Sequence, residues 1–132
     1  MQWADWEIYW VELKLSLPRK NRLTRQNDIS RVFDTGDFHQ GKYCHIIVKK
    51  TDHSTCRAAF IVSKKTAAGA VDRNRIRRLM KESFRLKLAA MKNCADIIFL
   101  ATRRAHKKLG RSDFDQELNT LLSKADLIEN NN

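Results

Sequence analysis

Acidic residues are scarce in this chain: 15 Asp and Glu stand against 26 Lys and Arg over 132 residues, a formal charge of +11. That imbalance argues against basic partners and points to a polyanion or an anionic surface. Long apolar runs are also missing. None approaches the roughly 20 residues that a membrane-spanning helix needs, and the start of the chain has no basic stretch followed by an apolar core, so neither a membrane partner nor a secretory signal is expected. Cysteine is limited to Cys44, Cys56 and Cys94, an odd number, widely spaced and outside any CxxC. This excludes a disulfide framework or a zinc knuckle and suits reduced thiols in a cytoplasmic protein. With only four glycines and one proline there is no Gly-rich phosphate loop. His39, His45, His53 and His106 are scattered, without the spacing of a metal or nucleophile constellation. Asp34 with Asp37 and Asp113 with Asp115 read as helix ends and turns rather than metal pairs. The expectation is therefore no catalytic residue and no metal ligand in the chain itself.

What is abundant is positive charge in one place. From Lys64 to Lys92 there are ten Lys or Arg against two acids, Asp72 and Glu82. Read at helical period, Ile76, Met80, Phe84 and Leu88 step by four, with Leu79 and Ala90 beside them, and make an apolar stripe. Asn74, Arg78, Lys81 and Arg85 fall on the opposite side, with Arg75 and Glu82 flanking and Arg77 near the edge. At about 1.5 Å per residue the basic row spans roughly 16 Å. Asp72 suits the N-cap. A helix that is merely solvated mixes signs and forms i,i+4 ion pairs. This one gathers like charge, and the Arg-over-Lys bias favours bidentate phosphate contacts, so the row reads as an RNA or DNA surface.

The flanking segments suggest one α+β domain over residues 17–128. Residues 22–36 read as a first helix, with Thr24 as N-cap, Ile29, Val32 and Phe33 on its apolar face, and Gly36 as a left-handed stop. Alternation from Lys42 to Thr51 and from Arg57 to Ser63 gives two strands, expected to pair antiparallel across a short turn. Thr66–Val71 reads as a short connection with a stub of strand, ahead of the basic helix. Ala95–Thr102 is nearly all apolar, as in a strand covered on both faces. A last helix opens near Ser112, with Leu118, Leu121, Leu122 and Ala125 as its buried stripe. The order is α-β-β-(β)-α-β-α, an α+β sandwich with helices against one sheet. Residues 129–132 read as a frayed tail.

Residues 1–10 do not match the rest: they hold all three Trp residues and two acids, with no Lys or Arg. Residues 1–16 are expected to be an extension outside the domain, disordered or non-native, with Val11 the natural start. The competing reading is a docking segment on a Trp3, Trp6, Trp10 face.

Ser63-Lys64-Lys65, Ala70-Val71 and then Arg73-Asn74-Arg75-x-Arg77-Arg78-Leu79-x-Lys81-Glu82-Ser83-Phe84-Arg85 form a long and specific pattern. It resembles the signature of the bacterial ribonuclease P protein component, and the likeness runs from about Leu17 to about Ala125, including Val32-Phe33-x-x-Gly36. The resemblance implies a split βαβ sandwich with a left-handed crossover around the basic helix, against the usual right-handed preference. It also implies an accessory subunit of a ribonucleoprotein endoribonuclease that removes the 5′ leader of precursor tRNA, needing no protein partner. The catalytic centre then lies in an RNA subunit using Mg²⁺. Lys64, Lys65, Arg73, Arg75, Arg77, Arg78, Lys81 and Arg85 would meet RNA phosphates and Asn74 a base or sugar edge. A leader cleft would be lined by Phe33, Tyr43, His45 and Ile47, which suit stacking on unpaired bases. Phe33 by itself reads more readily as core, and it is the resemblance that brings the cleft reading level with it. Ile29 stands where the family often has an aromatic, so no stacking is assigned there. A ribosomal-type structural RNA-binding protein and an autonomous metal-dependent nuclease are the two other classes.

Overall fold

The computed structural model describes residues 17–51, 55–105 and 108–129. The Trp-rich decapeptide and the last three residues lie outside the described residues. Among the described residues three α-helices and four strands follow in the order α1 (Gln26–Thr35), β1 (Asp37–His39), β2 (Cys44–Lys50), β3 (Arg57–Ile61), α2 (Ala70–Lys87), β4 (Ala95–Ala101) and α3 (Arg111–Lys124). The fold is α+β, with a single sheet ordered β1-β2-β4-β3.

The apolar run of β4 explains that order. A strand with Ala95, Ile97, Ile98 and Phe99 fully buried belongs in the middle of a sheet, where both faces and both edges are covered. β4 therefore inserts between β2, to which it runs antiparallel, and β3, to which it runs parallel. The hairpin expected from β2 and β3 does not form: the strands do oppose each other, but β4 separates them. A short connection sets relative direction and leaves adjacency to the sheet as a whole. The parallel β3–β4 pair is closed by α2, which makes a βαβ unit whose two strands are neighbours.

The strand stub expected at Thr66–Val71 is also absent. Thr66 and Ala67 donate back to the Ser63 carbonyl, both at 3.1 Å, so the segment is a turn. The additional strand is β1, just after Gly36, pairing Phe38 with Ile47. Gly36 is needed there for space, because its φ is −78° rather than left-handed. A Cβ at Gly36 would lie 2.5 Å from the Val32 carbonyl oxygen and 2.8 Å from Ile47 Cγ2. The helix starts differ as well. Arg25, not Thr24, precedes α1, and Gly69 precedes α2, which leaves Asp72 in the first turn, where its charge still complements the amide end. α3 starts after Gly110, whose N–H donates to Asp113 Oδ2 at 2.9 Å.

Side-chain alternation along the strands divides the core. Cys44, Ile46, Val48, Ile97 and Phe99 pack with Ile76, Met80 and Phe84 of α2 and Phe114, Leu118, Leu121 and Leu122 of α3. Phe84 sits in a three-ring cluster, 5.3 Å from Phe99 and 6.1 Å from Phe60, while Phe60 and Phe99 stack at 5.0 Å. Ile47 and Ile98 face the other way, under Leu23 and Val32. On that second face Arg57 forks onto Asp96, Nε to Oδ1 at 2.9 Å and the terminal nitrogen to Oδ2 at 2.7 Å. Its remaining nitrogen reaches Asp28 of α1 at 3.4 Å. The hydrogen bond to Asp96 holds the Arg57 guanidinium above its ordinary pKa. All three cysteines are free, and burial pushes the Cys44 thiol far above its usual range.

Two stability outcomes follow. Phe84→Ala is expected to cost about 3–5 kcal/mol, because the vacated ring space lies where helix and sheet meet. Asp96→Ala, which strands a partly buried guanidinium, is expected to cost about 1–3 kcal/mol, whereas Asp28→Ala should cost under about 1 kcal/mol. Urea denaturation of the three variants checks both.

Candidate nucleic-acid interface

Helix α2 presents two chemistries because its 18 residues carry apolar side chains on one side only. Ile76, Leu79, Met80, Ser83 and Phe84 are buried against the sheet and α3. Asn74 is exposed, and Arg73, Arg75, Arg77, Arg78, Lys81 and Arg85 are half-buried along the helix flanks. Lys64 and Lys65 are exposed in the turn that leads into the helix.

The geometry separates these cations into two kinds. Arg73 donates to the Ala67 and Ala68 carbonyls at 3.0 and 2.6 Å, which clamps the turn carrying Lys64 and Lys65 onto the start of α2. Arg75 reaches across to the Leu109 carbonyl at 2.6 Å and so ties α2 to the segment before α3. Its other terminal nitrogen is buried without a partner, as is Arg85 Nε. Arg77 donates to Asn74 Oδ1 at 2.8 Å, which leaves the amide NH₂ group as the end not taken up by Arg77. Asn74, Arg77, Lys64 and Lys65 are thus arranged at the surface, while Arg73 and Arg75 also hold the scaffold together. Asp115 of α3 meets α2 on its buried side, accepting from Ser83 at 2.5 Å.

The four residues expected to line a cleft do not share one surface. Phe33 of α1 is 46% exposed. His45 and Ile47 lie on the same face of β2, but Ile47 is 7% exposed and forms the floor beneath Val32. Tyr43 turns to the opposite layer, edge-on to Phe114 at 6.3 Å, with Lys42 Nζ 5.0 Å above its ring. Alternation would have put Tyr43 beside His45, yet Tyr43 precedes the strand, where the chain follows α3 instead. A residue missed in the sequence takes its place. Phe38 of β1 pairs with Ile47, is 57% exposed, and has its ring 5.0 Å from His45. The only signal for it was one aromatic in a polar tripeptide after Gly36. His45 Nδ1 accepts from the Gly41 N–H at 3.0 Å, which places the proton of the neutral ring on Nε2.

Among the described residues no three His, Cys, Asp or Glu side chains converge as a metal site. What the surface can do is neutralise phosphates along α2 and stack bases at Phe33, Phe38 and His45. Arg75→Ala, which loses the Leu109 contact, is expected to lower stability by about 1–3 kcal/mol. Lys64→Ala should change it by less than about 0.5 kcal/mol. Thermal and urea unfolding of the two variants tests this division.

Known proteins share this arrangement. A family model described as Ribonuclease P matches residues 17–126. The ribonuclease P protein component of Pseudanabaena sp. is 32% identical over 116 residues, covering 87% of this chain and 99% of the relative. That of Dehalococcoides mccartyi is 33% identical over 116 residues, covering 88% of this chain and 93% of the relative. The solved ribonuclease P protein of Staphylococcus aureus superposes with a TM-score of 0.73 at 24% identity over 83% of this chain and 98% of that one. That of Thermotoga maritima gives 0.70 at 22%, over 78% and 96%. Such structural likeness speaks for the fold, and the nearly full-length sequence matches speak for kinship: this chain belongs to the ribonuclease P protein family.

Proposed function

We propose that the chain is the protein subunit of a ribonuclease P ribonucleoprotein and acts in maturation of the tRNA 5′ end, with an RNA subunit and precursor tRNA as its partners. The observation that carries this reading is the one-sided helix α2, anchored in the core and basic outside, within a chain of net charge +11. Lys64, Lys65, Asn74, Arg77, Arg78, Lys81 and Arg85 meet the RNA subunit; Arg73 and Arg75 contribute charge while fixing the helix start and the approach to α3. The endonucleolytic step belongs to the RNA, with magnesium held mainly there. No step is assigned to a metal on the protein.

The leader of the precursor lies on the other side of the sheet, where Phe33, Phe38 and His45 offer stacking surfaces over the Ile47 floor. Tyr43 contributes from the end of the sheet rather than from that surface. The complex works in the cytoplasm. No helix among the described residues is long and apolar enough to cross a membrane.

Reconstitution with a ribonuclease P RNA tests the assignment. A Lys64→Ala, Lys65→Ala double variant should bind the RNA subunit more weakly, with the salt slope reduced by roughly one unit per lost phosphate contact. Phe33→Ala or Phe38→Ala should weaken precursor tRNA by about 1–3 kcal/mol per lost stacking contact and leave mature tRNA nearly unchanged. Cleavage of precursor tRNA by the protein without RNA, or binding with no effect on tRNA maturation, would overturn the assignment in favour of a nuclease or a ribosomal-type protein.

A further inference from the structure

A groove of about 880 Å³ lies between the segment from Phe38 to Tyr43 and the flank of α3 that carries Asp113, Glu117 and Lys124. It is separate from the basic face of α2. Asp115 points toward α2 through Ser83, whereas Glu117, two residues on and so on the other flank, faces the groove.

The groove is built rather than incidental. Glu117 accepts backbone N–H groups from Lys42 at 2.5 Å, from Tyr43 at 2.9 Å and from Cys44 at 2.8 Å. Thr102 takes the other side of the same loop, its hydroxyl donating to the Lys42 carbonyl at 2.5 Å and its N–H to the Tyr43 carbonyl at 2.8 Å. Gly41 admits no side chain, since a Cβ would collide with the Cys44 carbonyl oxygen. The loop is therefore held in place before any ligand arrives.

Its cations are also left outside ion pairs. Both acids in the groove are engaged by backbone amides, Glu117 by the loop and Asp113 by Gly110. Lys42, Arg104 and Lys124 are exposed on its walls, and among the described residues none of them forms an ion pair. Aromatic rings complete the lining. Tyr43 stands at the loop end, and Phe38 is shared with the stacking surface through its contact with His45. Cations outside any ion pair, rings and amide side chains together fit a nucleotide.

We infer that this groove binds unpaired RNA and receives the 5′-distal nucleotides of the precursor leader, carried round the short β1 edge from the Phe33–His45 surface. The inference rests on the leader reading above. Continuity through Phe38 selects the leader over the RNA subunit, whose proposed site is the far flank.

The experiment uses reconstituted holoenzyme and precursor tRNAs whose leaders lengthen one nucleotide at a time, with mature tRNA as reference. Wild-type affinity should rise with the first leader nucleotides and rise again when the chain is long enough to enter the groove. An Arg104→Glu, Lys124→Glu double variant should lose the second rise, about 10-fold or more, with less than about 2-fold change for mature tRNA and the shortest leaders. Both side chains are exposed, so thermal unfolding should not move. A variant that matches the wild type at every length would overturn the inference, as would a uniform loss that includes mature tRNA, which would place the groove on the RNA subunit. His45→Ala separates the two readings. If it spares short leaders while the double variant still loses the long-leader rise, the stacking surface fails and the groove stands.

Discussion

The contact among Phe60, Phe84 and Phe99 is what the working surface depends on. It seats α2 on the sheet through one buried ring of the helix and two from parallel neighbouring strands. A helix with this density of like charge is poorly stabilised by itself, since repulsion adds to the cost of nucleation. Burial of Ile76, Met80 and Phe84 offsets both, and it fixes the rotation of the helix about its axis. The rotation decides which side chains face outward. Asn74 and the cations beside it are presented because the opposite stripe has nowhere else to go.

The two faces of the sheet then serve different purposes. One is closed by α2 and α3 around a continuous apolar core. The other carries only α1 and a small cluster, fastened by the Arg57 link from Asp96 to Asp28. Thin cover is what leaves Phe33, Phe38 and the half-buried His45 near the surface. A well-packed second layer would have buried them. The partly buried ion-pair link does for α1 what the phenylalanine cluster does for α2, by directional bonds rather than by area.

Much of this was legible in the residues. The two faces of α2, the doubly covered β4 and the leucine stripe of α3 are periodic over enough positions to be read directly. Boundaries were less secure: the caps of α1 and α2 moved by one to three positions, because Arg25 and Gly69 take the place of side chains that looked better suited. Non-local facts were the least legible. That β4 separates β2 from β3 depends on which strand most needs two neighbours, which no local pattern states. β1 has three residues and no period to find. Tyr43 followed the alternation of β2 on paper but lies outside the strand, so α3 determines its direction. The double duty of Arg73 and Arg75 was hidden for a related reason, since carbonyl partners at Ala67, Ala68 and Leu109 leave no trace in side-chain patterning.

The central claim is that the outward face of α2 lies against the RNA subunit while its inward face is core. Tethered hydroxyl-radical cleavage tests it directly. With the native cysteines replaced by serine, a single probe-bearing cysteine is placed at the exposed position 74 (Asn74→Cys), or at position 119 on α3 (Asn119→Cys) as a reference. Strong, localised cuts in the RNA subunit are expected from position 74 and weak or no cuts from position 119. Silence from position 74 in a complex that still matures tRNA, with cuts from position 119 instead, would contradict it.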